Sequence, residues 1–127
     1  MTNKMAGRPK YLNLFQIRLP LPALTSFLHR VSGALLFFAI PLLLILLQQS
    51  LISAAGFDAV RTRLGHPLAK LFLLALLWAY SHHFFAGLRL LFLDVHIGVD
   101  LPQARITAAL ALLAGAILTL LVGLWLW

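Results

Sequence analysis

Three long apolar runs separated by two short polar segments dominate the chain. The runs span about residues 25–52, 68–93 and 106–127. Each is long enough for a helix rising about 1.5 Å per residue to cross a hydrocarbon layer of about 30 Å. Pro20 and Pro22 punctuate the start of the first run, and Thr25 or Ser26 is expected to cap its helix. Pro41 lies inside, where a membrane-embedded proline kinks a helix rather than ending it. Residues 48–64 read as a polar loop with a short surface helix. Pro67 opens the second run, which Ser81, His82, His83 and Arg89 interrupt. A second loop, 94–105, carries Gly98, Asp100 and Pro102, and the third run follows without one charged side chain. With no polar anchor, that third span is assigned to packing. The expected fold is an all-α membrane protein, with a polar N-terminal segment at 1–24 and a three-span domain at 25–127.

Composition sharpens this picture. The chain is 62% hydrophobic and 10% charged, with a mean hydropathy of +0.98. Soluble domains average about 45–50% apolar and about 25% charged residues. A soluble enzyme with its own substrate domain is therefore excluded, as is a disordered chain. The absence of cysteine removes disulfide scaffolds and thiolate metal sites. Net charge is +7, yet the basic residues sit at the ends of the apolar runs without aromatic interleaving. They point to the membrane surface and its lipid, not to nucleic acid. With the N-terminus inside, Lys4, Arg8, Lys10, Arg18, Arg30, Arg89 and Arg105 fall on the cytoplasmic side, and Arg61, Arg63 and Lys70 outside. That bias favours a cytoplasmic N-terminus and puts Trp125 and Trp127 in the outer interfacial belt. The first apolar run begins too late and runs too long for a cleaved signal peptide.

Polar groups inside a span are costly and are functional candidates by default. On the first span, Ser26, His29, Arg30 and Gly33 lie within about 100° of one another on a helix. A hydroxyl and a guanidinium on one wall of a cleft suit a polar ligand head with carbonyl oxygens. The competing reading is an arginine that snorkels to headgroups and a serine that caps. Ser32 is expected on the opposite face, bonded to its own backbone. On the second span, His83 is flanked by Ala79, Ala86 and Gly87. Small residues around one imidazole leave a trough for a flat ligand such as a haem, with the ring nitrogen as axial ligand. They equally suit close helix packing, with His83 as interhelical hydrogen-bonding glue. His82 points about 100° away, on the face of Arg89. His66 and His96 read as solvated surface histidines. No phosphate loop, zinc-type spacing or nucleophile motif is present.

Two motifs give the chain a recognisable likeness. Arg8-Pro9 followed by Ser26-Phe27-Leu28-His29-Arg30-Val31-Ser32-Gly33 resembles the R-P…S-x-x-H-R-x-[ST]-G signature of the succinate dehydrogenase cytochrome b family, the larger membrane anchor of bacterial complex II. His83-Phe84-Phe85-Ala86-Gly87-Leu88-Arg89, closing on Asp94, resembles that family's H-x-x-x-G-[LI]-R…D. The likeness extends over essentially the whole chain. It implies a bundle shared with a small anchor subunit and attachment to iron–sulfur and flavoprotein subunits. Location in the bacterial inner membrane follows from it too. It implies one haem b held by His83 and by a histidine of the small anchor, with His29 and Arg30 near the propionates. Ser26 and Arg30 would line the ubiquinone site. The chain would perform no chemistry alone but would serve electron transport and the tricarboxylic acid cycle. Two positions depart from the pattern: Leu90 stands where many members have histidine, and Lys10 where an apolar residue is usual. Competing assignments are a fumarate reductase anchor using menaquinone and a haem-free structural or transport subunit.

Overall fold

The computed structural model describes residues 18–126. The Arg8-Pro9 pair, Lys4, Lys10 and Trp127 lie outside the described residues. Four helices follow in order: α1 (Leu21–Ile52), α2 (Ala54–Leu64), α3 (Pro67–Asp94) and α4 (Leu101–Leu126). Three of them, α1, α3 and α4, are long and apolar enough to cross a membrane. At 32 residues, α1 would be about 48 Å long, so it outreaches the hydrocarbon layer or crosses it tilted. The protein is a multi-pass, all-helical membrane protein.

Helix ends are set by local chemistry. Pro20 is the extended N-cap of α1 and no side chain caps it, so the expected cap from Thr25 or Ser26 is corrected. Proline torsions near −65° pre-shape the first turn, and Pro22 has no N–H to satisfy. Thr25 lies inside the helix and donates to the Leu21 carbonyl at 3.0 Å. The helix continues through Pro41. Ser53 alone separates α1 from α2, and its Oγ accepts from the Gly56 N–H at 3.0 Å. The expected polar loop is therefore mostly helix, tied back to α1 where Arg63 donates to Gln49 Oε1 at 2.9 Å. His66 is exposed, and it also caps α3 by accepting from the Leu68 N–H at 3.3 Å. Between α3 and α4, His96 (φ 63°) and Gly98 (φ 79°) take left-handed torsions; glycine adopts these freely, other residues rarely.

Small residues hold the bundle together. In lipid the hydrophobic effect gives little drive for helix association, so close backbone approach and side-chain packing must supply it. α3 packs on both α1 and α4, which also touch each other. The buried residues of α1 are Thr25, Ser32 and Ala39, spaced by seven. Those of α4 are Ala108, Ala111, Gly115, Thr119 and Gly123, a single stripe. Large apolar side chains such as Phe37, Phe38 and Trp125 point outward, as lipid or a neighbouring subunit requires.

Candidate functional site

The two polar clusters come into contact where α1 crosses α3. His29 of α1 and His83 of α3 stack face to face, with ring centroids 4.1 Å apart and planes 9° from parallel. His83 Nδ1 lies 3.0 Å from the His29 carbonyl oxygen and 3.2 Å from Ser32 Oγ. The Ser32 hydroxyl donates to that same carbonyl at 2.9 Å. A carbonyl can only accept, so Nδ1 carries the proton, and in the neutral ring the lone pair is then on Nε2. Nε2 forms no hydrogen bond with a described residue. The ring is thus fixed in the tautomer that ligates a metal through Nε2, by the kind of backbone contact that orients metal-binding histidines.

Glycines make this crossing possible. A β-carbon on Gly33 would stand 2.9 Å from His83 Cε1, and one on Gly87 would stand 3.4 Å from His29 Nε2. Ala79 and Ala86 are buried. Of the two readings of the small residues around His83, close packing of the spans is seen at Gly33 and Gly87, while Leu76 and Ala79 line a cavity of about 310 Å³ between α1 and α3. Ser32, expected to bond only its own backbone, also meets His83. Its position was the signal: it lies about 60° around the helix from His29 and about 160° from Arg30.

The wider clusters separate. Ser26 is half-buried and Arg30 exposed, and neither side chain hydrogen-bonds a described residue. They stand apart from the α1–α3 contact, into which His29, Ser32 and Gly33 turn. His82 and Arg89 face α4. A β-carbon on Gly115 would stand 3.1 Å from His82 Cα. The His82 ring stacks on Trp78 at 5.4 Å and is fully buried near the Thr25 backbone, and neither ring nitrogen makes a close hydrogen bond with a described residue. Arg89 donates through Nε to Thr107 Oγ1 at 3.2 Å and through Nη2 to the Ala104 carbonyl at 3.4 Å. The third span therefore does offer polar anchors, in its first two turns. Among the described residues, no three His, Cys, Asp or Glu side chains gather to hold a metal ion.

Fold and site define a multi-pass helical membrane protein with a histidine pair locked between its first two spans. Residues 4–122 match the succinate dehydrogenase/fumarate reductase transmembrane subunit family, and the chain belongs to it. It is 35% identical to the succinate dehydrogenase cytochrome b556 subunit of Coxiella burnetii, over 96% of this chain and 98% of that protein. It is also 35% identical to the succinate dehydrogenase cytochrome b556 subunit of Paracoccus denitrificans, over 91% of this chain and 92% of that protein.

Proposed function

We propose that this chain is the large membrane anchor of a succinate dehydrogenase, seated in the bacterial inner membrane with its N-terminus in the cytoplasm. It supplies His83 as one axial ligand of a haem b whose other ligand comes from a small anchor subunit. Ser26 and Arg30 form part of the site that receives ubiquinone. The observation carrying this reading is the hydrogen bond from His83 Nδ1 to the His29 carbonyl, which leaves Nε2 as a free donor for iron. A porphyrin brings four nitrogens of its own, so one imidazole from this chain suffices where no protein-only cluster exists. When bound, that group would pass electrons one at a time. The chain's own residues do the rest. His83 offers its lone pair, His29 shields one face of that ring, and Ser26 and Arg30 present donors to the carbonyl oxygens of a quinone. Iron–sulfur and flavoprotein subunits complete the path from succinate.

The test is a pair of readouts on the complex purified through a tag on this chain. His83→Ala is expected to abolish or strongly perturb the b-type signal in the reduced-minus-oxidised spectrum while leaving membrane insertion intact. An unchanged spectrum would remove His83 as a ligand. Ser26→Ala and Arg30→Leu are expected to lower quinone reduction while sparing succinate oxidation by an artificial dye. Equal loss of both activities would point to failed assembly and against a quinone role.

A further inference from the structure

We infer that Ser32 is a positioning residue for His83, fixing the rotation of its imidazole about the axis on which Nε2 would meet iron. This inference rests on the haem reading above. Stacking on His29 at 4.1 Å limits tilt, but it permits the ring to slide in its plane or to flip and exchange Nδ1 with Cδ2. The Nδ1 edge removes that freedom. It faces two oxygens, the His29 carbonyl at 3.0 Å and Ser32 Oγ at 3.2 Å, and a flipped ring would set a C–H against both. The Ser32 proton is committed to the same carbonyl at 2.9 Å, so Oγ turns a lone pair to Nδ1–H. One hydroxyl thus closes a three-membered hydrogen-bond circuit between α1 and α3. Ser32 is 1% exposed, so water does not compete for either bond. The close face of Gly33, where a β-carbon would stand 2.9 Å from Cε1, leaves the ring no second resting place on that side.

Three substitutions at this position separate the hydroxyl from its volume. Threonine and valine have the same shape, so their difference isolates the oxygen; alanine removes it without adding bulk. The purified complex is compared for the rate of haem transfer to an apo-globin acceptor and for the electron paramagnetic resonance of the oxidised haem, whose g-anisotropy follows the axial ring planes. Ser32→Ala and Ser32→Val are expected to lose haem about tenfold faster, the scale on which partners of metal-bound histidines act, and to shift or broaden the low-field signal. Ser32→Thr is expected to match the parent in both. Parent-like behaviour of all three, or equal behaviour of threonine and valine, overturns the role of the hydroxyl. His83→Ala is run beside them: if it retains the haem signal, the ligand reading itself falls, whereas its loss with unaffected Ser32 variants removes only the inference.

Discussion

Adjacent histidines on α3 meet opposite fates because one step along a helix is a turn of about 100°. His83 finds a carbonyl and a hydroxyl on α1, whereas His82 has its backbone against α4 and its ring nitrogens make no close hydrogen bond with a described residue. A buried polar group without a hydrogen bond costs about 1–3 kcal/mol. The ring packs on Trp78 and lies near the backbone of Thr25, while Gly115 stands against the His82 backbone. His82→Phe is expected to leave the haem spectrum unchanged and to change thermal stability by no more than about 1 kcal/mol. The measurement is the melting of the complex followed by haem absorbance. Loss of the signal at ambient temperature would show that His82 makes a polar contact on which haem binding depends. In the sequence, the likeness of His83, Gly87 and Arg89 to the family motif sets His83 apart from His82. The partner of His83 was not legible in the same way. A helical wheel gives angles about one axis and does not say where the neighbouring helix lies, so it places Ser32 opposite the Ser26–Arg30 cluster without showing that α3 packs there. In fact Arg30 is the residue that faces away.

At the scale of elements, the sequence shows the three spans clearly because eighteen or more apolar residues have few other uses. Their junctions were less legible. Ser53 between α1 and α2, and His66 before α3, act through single capping bonds that leave no periodic trace. Lack of charge alone marks α4 as a packing span, yet two features specify how it packs: the clamp of Arg89 on Thr107 and Ala104, and the small-residue stripe. Two glycines of that stripe differ in tolerance. At Gly115 an added β-carbon would meet the backbone of His82 at 3.1 and 3.2 Å, whereas at Gly123 it would meet Leu74 Cδ1 at 2.9 Å. The shorter contact is the cheaper one, because the end of a leucine can change rotamer and a helix backbone cannot. Gly115→Ala is expected to destabilise the assembled protein by about 1–3 kcal/mol, the usual cost of overpacking. Gly123→Ala is expected to cost well under half as much. Detergent-challenge melting of the two variants side by side checks the order; equal melting points would mean that α4 shifts as a unit.

For the whole molecule, the proposed electron path requires the end of the bundle that carries Ser26 and Arg30 to face the soluble subunits. Charge distribution argues for that end being cytoplasmic. Arg18, Arg30, Arg89 and Arg105 cluster there among the described residues, and Arg61, Arg63 and Lys70 lie at the other end. Arg89 is spent on α4 and counts little toward headgroup contact, but the sequence adds Lys4, Arg8 and Lys10 on the same side. The bias survives that subtraction, six against three, and basic residues near span ends are what orient a membrane protein. The natural chain has no cysteine, so single thiols can report the topology without background. Ser53 at the α1–α2 junction and Gln103 in the first turn of α4 are both exposed. Ser53→Cys is expected to react with a membrane-impermeant maleimide on cells whose outer membrane alone is opened. Gln103→Cys is expected to react only after the inner membrane is breached. The reverse pattern would put Ser26 and Arg30 on the far side from any cytoplasmic iron–sulfur subunit, and the proposed quinone site would lose its source of electrons.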